Sequence, residues 1–202
     1  MEIELADDVV RLSRRAVRFP VELRAPPGFA AADPATWPRV DGRLEYVGGR
    51  LLYMPPCGDV QQDICPDVML VLRAWTEDHP DFLVGGNEAG MLLGGEVRGA
   101  DGAVWRRDAV GARSGGYRRV PPVLAVEVAG QDEGERELRE KARWYLDHGV
   151  LVIWLILADA REVVVLTVDR DTRHRTGALL PPHPALPGLA PAVDRFFAQL
   201  GR

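Results

Sequence analysis

The sequence is poor in cysteine: Cys57 and Cys65 are the only two in 202 residues. Two cysteines provide no disulfide framework, and no histidines surround them at the spacing of a metal site. We therefore expect a reducing compartment, the cytoplasm. The first fifteen residues lack the basic segment and apolar stretch of a signal peptide. The apolar run Val150–Ala158 is too short to span a bilayer.

The sequence also lacks an excess of positive charge. Its net charge is −5 and its pI is about 5.4. This balance argues against tight nonspecific binding of nucleic acid, which depends on neutralising phosphates, but it leaves room for a local basic groove. A chain of 202 residues with 47% apolar content is long enough to form one domain with its own core.

One central stretch predicts a strand, a helix and a second strand. Val123–Val128 is a short β-branched run typical of a buried strand. Glu133–His148 is rich in helix formers, and Val150–Ala158 is a second buried strand. Glu127 lies near the end of the first strand, where open α/β sheets place functional groups. Lys141 lies at the edge of the apolar face of the helix, from where its ammonium can reach the strand ends.

Before this unit, the sequence predicts an N-terminal helix, an arm, a hairpin and a long helix. These segments are Asp7–Val17, Pro20–Pro38, Arg43–Met54 with a turn at Gly48-Gly49, and Gln61–His79, whose Pro66 marks either a later start or a kink. Glu45 lies on the first strand of the hairpin. Phe82–Leu93 and Ala103–Ala112 are predicted as strands around a glycine-rich loop, Gly94–Gly102, with Asp108 interrupting the second strand.

After the central unit, the sheet is expected to continue with a hairpin partner, Glu162–Val168. A charged turn, Asp169–Arg175, follows, and after it a short strand through Leu180. A proline-rich surface segment, Pro181–Pro191, then leads to a closing helix, Ala192–Leu200. The closing helix would dock Phe196, Phe197 and Leu200.

Glu45, Asp108, Glu127 and Lys141 together suggest metal-dependent phosphodiester cleavage. Carboxylate oxygens are the ligands of a Mg²⁺-type ion, and a nearby lysine can orient or deprotonate water or stabilise transition-state charge. The residues alone also permit a plainer interpretation, because any buried strand can end in an acid paired with an arginine.

Several motifs resemble the Uma-type (Uma-two) bacterial family, once a domain of unknown function and since associated with restriction endonucleases. LEYVGGRLLYMPP resembles its opening hairpin, VQQDI the start of its first helix, and WRRDAVG its Pro-Asp strand. PPVLAVEVAGQDE resembles its glutamate strand, and REKARWYLDHGVLVIWLIL its Lys-x-x-x-Tyr block. The ending PALPGLAPAVDRFF is also similar.

The resemblance implies an α/β restriction-endonuclease-like fold of the PD-(D/E)xK superfamily, with a central mixed β-sheet flanked by helices. The fold would span residues 41–202, after an N-terminal helix and arm in residues 1–40. It implies an Mg²⁺- or Mn²⁺-dependent hydrolase acting on DNA. Asp108 and Glu127 would be metal ligands, Glu45 a further ligand or positioning group, and Lys141 the water-activating cation. A homodimer is also expected, since apolar hairpins and proline-rich tails often meet partners.

The sequence departs from the family pattern at three places. Gln61 replaces a histidine, Arg107 replaces the proline before the aspartate, and Ala129-Gly130-Gln131 replaces Leu-Ser-Pro after the glutamate. These departures motivate an alternative: a catalytically degenerate protein of the same fold that binds nucleic acid or a protein partner.

Overall fold

The computed structural model describes residues 18–113, 115–130 and 133–201, without the side chain of Asn87. Within these residues nine strands form one sheet: β1 (Val21–Leu23), β2 (Arg43–Val47), β3 (Arg50–Met54), β4 (Phe82–Leu93), β5 (Glu96–Arg106), β6 (Leu124–Val128), β7 (Val152–Leu157), β8 (Glu162–Leu166) and β9 (Asp171–Arg175). The α-helices are α1 (Asp59–Glu77) and α2 (Glu135–Asp147), and 3₁₀ helices cover Pro34–Thr36 and Val193–Leu200. The helix predicted at 7–17 lies outside the described residues.

Strand β5 is the branch point of the sheet. The sheet order is β1-β3-β2-β5-β6-β7-β8-β9, and β4 pairs with β5 over nearly its full length. The other edge of β5 pairs first with β2, at Val97, and then with β6, from Gly102 to Val104. Strands β2 and β6 therefore separate along β5, and a space opens between them near Asp101. The β6–β7 pair is parallel, with α2 as its crossover, and the remaining named pairs are antiparallel.

The sheet has an apolar core on each face. Alternate residues of β6 point to opposite sides, so Val126 and Val128 join the core under α1, while Ala125 faces α2. The C-terminal 3₁₀ helix closes the α1 side with Phe196 and Phe197. Glu127 points to the same side as Ala125, which places a carboxylate in the layer between the sheet and α2.

The central unit and both flanking hairpins confirm the sequence predictions. The predicted strand, helix and strand around Glu127 are β6, α2 and β7, and the turn at Gly48-Gly49 joins β2 to β3. Helix α1 is continuous, with Pro66 inside it. Strand β8 pairs with β7 as a hairpin partner. The closing segment forms a 3₁₀ helix, with non-helical backbone at Phe197.

The predicted loop Gly94–Gly102 is wrong, because only Gly94 and Gly95 form a turn and β5 begins at Glu96. The glycines of β5 serve packing instead. A Cβ on Gly102 would lie 3.2 Å from side-chain atoms of Val68 and Met69, so glycine lets α1 approach the strand. The predicted strand Ala103–Ala112 is correspondingly wrong beyond Arg106, and Asp108 lies in the following turn.

The charged segment Asp169–Arg175 is also not a simple turn, because its last five residues form β9, an edge strand. Arg173 and Arg175 donate to Glu162 of the neighbouring strand at 2.6 and 2.7 Å. The charges therefore sit on an exposed edge, where they discourage further strand pairing. The short strand predicted through Leu180 is reduced to one bridge, between Leu179 and Ala192.

The arm predicted at 20–38 contributes β1, whose Val21 pairs with Tyr53 of β3. The division of the chain at residue 40 stays a prediction. Among the helices that the structure describes, none combines the length and apolar character needed to cross a membrane.

A substitution of Phe196 tests whether the C-terminal 3₁₀ helix covers the core on the α1 side of the sheet. Its ring is fully buried and lies 5.6 Å from that of Trp154, edge to face. We expect Phe196→Ala to lower the free energy of unfolding by about 3–5 kcal/mol, because it removes buried apolar surface and leaves a cavity. Urea unfolding measures the change, and the exposed Leu179→Ala, expected to change it by less than about 0.5 kcal/mol, is the control. Equal losses in both variants would contradict this packing.

Candidate active site

Two acidic side chains lie on neighbouring strands at the branch point. Gly102 of β5 pairs with Val126 of β6, so Asp101 and Glu127 follow at adjacent positions. Both side chains are buried, with residue exposures of 9% and 1%. The Asp101 carboxylate accepts a 2.7 Å hydrogen bond from the backbone N–H of Val128. This bond fixes Asp101 against the strand that carries Glu127.

Helix α2 supplies the partners of Glu127. Lys141 Nζ lies 3.4 Å from Oε2 of Glu127, and the Tyr145 hydroxyl donates to Oε1 at 2.5 Å. These helix residues are four apart, so they share the face turned to the sheet. Lys141 also forms an ion pair with Glu133, at 2.8 Å. The lysine therefore bridges the strand acid and an acid from the β6–α2 connection.

Glu45 enters from β2, on the other side of the opening. Arg98 of β5 donates to its Oε2 at 2.6 Å, and the Gly99 N–H donates to Oε1 at 3.5 Å. The guanidinium of Arg98 also lies over the ring of Trp144, 5.3 Å from its centroid. Arg98 thus ties Glu45 to α2.

A second arginine, the half-buried Arg43 of β2, lies between two acids. Its Nη1 is 3.8 Å from Asp101, and its Nε is 3.3 Å from Glu88. Glu88 has a positive φ of 57° and lies where the β4–β5 register shifts. This bulge turns Glu88 toward Arg43 instead of continuing the regular alternation of the strand. Together with the groups above, Arg43 completes what we call the carboxylate cluster: Arg43, Glu45, Arg98, Asp101, Glu127, Glu133, Lys141 and Tyr145.

Burial and nearby charges shift the pKa values of Asp101, Glu127, Lys141 and Tyr145. Burial raises the pKa of Glu127 from 4.5 to about 8, helped by nearby Asp101 and opposed by Lys141. Burial likewise raises the pKa of Asp101, against the N–H of Val128 and the charge of Lys141. Burial acts to lower the pKa of Lys141, but the surrounding glutamates, Glu127 foremost, outweigh it, and the pKa rises. The lysine is therefore a cation throughout the neutral range.

Tyr145 acts as a fixed hydrogen-bond donor. Burial and the charge of Glu127 raise the pKa of its phenol well above 10. The phenol therefore keeps its proton and donates a hydrogen bond to Glu127. This bond holds one oxygen of Glu127 in place while the other faces Lys141.

The structure brings three of the four sequence-predicted site residues together: Glu45, Glu127 and Lys141. It does not bring Asp108 to them. Asp108 lies in the exposed turn after β5, where Arg106 donates to both of its carboxylate oxygens at 3.0 and 3.1 Å and keeps its pKa low. Asp101 instead occupies the place expected of Asp108, an aspartate on the strand beside Glu127.

Sequence reasoning missed Asp101, Glu133 and Tyr145. Every second residue of β5 faces the same side of the sheet as Ala125 and Glu127 of β6; these β5 residues are Asp101, Ala103 and Trp105. That alternation was the available signal, but flanking glycines made the segment resemble a loop. A tyrosine on the apolar face of a helix, such as Tyr145, is expected to pack in the core, and Glu133 is expected only to start the helix.

The departures from the family pattern have structural explanations. Arg107 donates to the backbone oxygen of Pro80 at 2.8 Å, away from the cluster. Because Asp101 and not Asp108 lies in the cluster, the residue before the cluster aspartate is Ala100 and not Arg107. Gln61 is buried and donates to the Val128 oxygen at 3.0 Å, which joins α1 to the end of β6. A Cβ on Gly130 would lie 2.8 Å from the Gln61 side chain, so glycine makes room for this contact.

Comparison with known proteins gives a family and a fold. The model of a family described as "Uma2: Putative restriction endonuclease" matches residues 33–194. A solved structure, titled as a "putative nuclease belonging to DUF820 from Anabaena variabilis ATCC 29413", superposes with a TM-score of 0.73. It is 17% identical, and the match covers 85% of this chain and 99% of the other. Comparison with curated proteins finds no match. The expected family and the restriction-endonuclease-like fold are confirmed.

The raised pKa of Glu127 predicts a specific pH dependence of stability. Between pH 4.5 and about 8 the folded protein retains a proton that the unfolded chain has lost, so stability falls as pH rises through this window. Relative to Glu127→Gln, the wild type should lose on the order of 1–4 kcal/mol between pH 5 and 8.5, by urea unfolding with a chelator.

Glu140→Gln provides the matched control, because Glu140 is exposed on the same helix. Its unfolding free energy should follow that of the wild type at every pH. Parallel curves for wild type and Glu127→Gln would contradict the burial of an ionisable Glu127.

Proposed function

This chain belongs to the Uma2 family, and we propose that it hydrolyses phosphodiester bonds of DNA with a divalent metal ion, Mg²⁺ or Mn²⁺. The observation that carries the proposal is the cluster itself: Asp101 and Glu127 on neighbouring strands, with the Lys141 ammonium 3.4 Å from Glu127. Burial raises the pKa values of both acids, and acids with raised pKa values beside a specific charge partner are common at functional sites.

The donor set suits a hard divalent cation. Asp101 and Glu127 offer carboxylate oxygens, and a cation between them would offset the cost of burying both charges. Within the residues that the structure describes, no group of three or more His, Cys, Asp or Glu side chains is arranged to hold a metal. Two protein carboxylates are nevertheless an ordinary set for Mg²⁺, which keeps several waters.

In this proposal Asp101 and Glu127 hold the ion, in place of the Asp108 and Glu127 expected from the sequence. A bound divalent ion would polarise the phosphoryl group and lower the pKa of a coordinated water. Tyr145 keeps Glu127 oriented by its hydrogen bond to Oε1. Glu45 acts as a positioning group, because Arg98 and the Gly99 N–H already engage its oxygens.

Lys141 serves as a fixed positive charge. Its raised pKa makes it a poor proton acceptor near neutral pH. Its ammonium therefore orients the attacking water through hydrogen bonds and stabilises the negative charge that develops on the phosphate. Glu133 holds the ammonium at 2.8 Å and limits its movement.

The alternative of a catalytically degenerate binding protein also has support in the structure. Both oxygens of Glu127 already have partners on α2, and the residue is almost completely buried. Such a saturated carboxylate needs no metal to satisfy it. A wild-type protein that binds DNA without cleaving it in Mg²⁺ or Mn²⁺ would establish this alternative. A homodimer and a cytoplasmic location stay predictions.

Cleavage assays on three variants test the assignment. We expect Asp101→Asn and Glu127→Gln to lower divalent-dependent DNA cleavage by about a hundredfold or more, because even outer partners of metal ligands contribute up to about that factor. Asp108→Asn should cleave like the wild type, since Asp108 is exposed and forms an ion pair with the neighbouring Arg106, away from the cluster. Circular dichroism checks that all three variants fold.

Two results would contradict this assignment. The first is full activity in Asp101→Asn. The second is loss of activity in a folded Asp108→Asn, which would return the metal site to the residue expected from the sequence.

A further inference from the structure

A groove runs from the carboxylate cluster across the surface of the sheet. It consists of two hollows that adjoin at Glu88, Gly90 and Tyr117, which line both of them. The first hollow is also lined by Glu45 and therefore reaches the cluster. The second follows β4 toward residues 110–113 and 115–120. We call the two hollows the arginine groove.

The arginine groove is locally basic in a protein whose net charge is −5. Its lining contains two glutamates, Glu45 and Glu88, against six arginines: Arg39, Arg43, Arg98, Arg113, Arg118 and Arg119. This local excess of positive charge runs along the groove instead of being spread over the molecule. A linear polyanion matches such a distribution better than a single small anion does.

Several of these arginines have unused donors. Among the residues that the structure describes, none accepts a hydrogen bond from the buried Nε atoms of Arg43 and Arg98, although Arg43 Nε lies 3.3 Å from Glu88. In the described part of the chain, Arg39, Arg113 and Arg119 take part in no ion pair. A buried donor without a partner is costly, and a phosphate oxygen would satisfy it.

Aromatic rings and bare backbone complete the lining. Tyr117 lies 5.6 Å from Trp37, centroid to centroid, and both line the first hollow. Gly85, Gly86 and Gly90 of β4 leave the strand without side chains, and a Cβ on Gly90 would come 2.8 Å from the Tyr117 ring. Arginines combined with aromatic rings along a groove are typical of proteins that bind single-stranded nucleic acid.

The depth of the cluster favours a single strand over a duplex. Glu45, Asp101 and Glu127 are all at most 9% exposed, so a scissile phosphate must enter the groove to reach them. Duplex DNA is stiff, with a persistence length of about 50 nm, and bending it sharply into a recess is costly. A single strand can follow the groove and expose its bases to the rings.

We propose that the arginine groove binds single-stranded nucleic acid, with Arg39, Arg113 and Arg119 on its phosphates and Tyr117 against a base. The inference deepens the proposed nuclease function and rests on it for the direction of the strand toward the cluster. The groove binds the backbone of either DNA or RNA through the same chemistry. Binding itself requires no cleavage, which keeps the two proposals separable.

Fluorescence anisotropy without divalent ions tests the groove directly. The probes are a labelled single-stranded DNA of about 15 nucleotides, the same sequence as RNA, and a blunt DNA duplex of that length. We expect single strands to bind more tightly than the duplex. The double variant Arg113→Ala/Arg119→Ala should weaken single-strand binding about fivefold or more. It should also reduce the slope of log affinity against log salt by about 1.4, because each lost phosphate contact contributes about 0.7.

Arg143→Ala/Arg170→Ala is the matched control, since it removes two exposed arginines outside the groove. This variant should leave the affinity within about twofold of the wild type. Equal weakening by both double variants would overturn the proposal, because net charge alone would then govern binding. Tighter binding of the duplex would overturn the preference for single strands.

Tyr117→Ala and Tyr117→Phe separate the ring from the hydroxyl. The alanine variant should weaken single-strand binding about fivefold or more, and the phenylalanine variant should retain it, because the base contacts the ring face. Unchanged binding by a folded Tyr117→Ala would remove Tyr117 from the groove's function. If the groove variants weaken binding but the wild type cleaves no nucleic acid, only the proposed nuclease function is rejected. If the wild type cleaves nucleic acid and the arginine variants cleave it equally well, only the proposed role of the groove is rejected.

Discussion

The ammonium of Lys141 is the positive charge on which the interior of this protein depends. Glu127 is buried between the sheet and α2, Glu133 lies 2.8 Å from the lysine, and Glu45 adds negative potential from β2. Burying these acids without a cation would cost several kcal/mol per charge, on the order of the stability of a whole domain. The contacts of Lys141 with Glu127 and Glu133 therefore join α2 to the sheet, while burial keeps the pKa of Glu127 raised.

The branched sheet is what makes this arrangement possible. Strand β5 pairs with β2 at one end and with β6 further along, so acids from three strands converge where β2 and β6 separate. The parallel β6–α2–β7 unit then carries Lys141 over the same point. The likeness to a solved fold at 17% identity shows that this framework tolerates extensive sequence change. In the proposed function, the chemistry would depend on a few side chains at the branch point.

The sequence revealed those parts of the fold whose signals are local. Strand β6, helix α2 and strand β7 follow one another along the chain, and their apolar patterns are local, so the proximity of Glu127 and Lys141 could be predicted. Asp101 could not be found in the same way. Its neighbours Gly99 and Gly102 suggest a loop, and their actual role, close packing such as that of α1 against Gly102, depends on residues distant in sequence. Arg106 and Asp108 form only a local pair.

Calorimetric titration of Mn²⁺ tests most directly whether Asp101 and Glu127 form the metal site. The account predicts that the wild type and Asp108→Asn bind the ion with the same affinity. Asp101→Asn should bind about tenfold more weakly or not at all, because it loses a charged oxygen ligand. Wild-type affinity in a folded Asp101→Asn, or loss of binding in Asp108→Asn, would contradict the central claim that the acids at the branch point hold the metal.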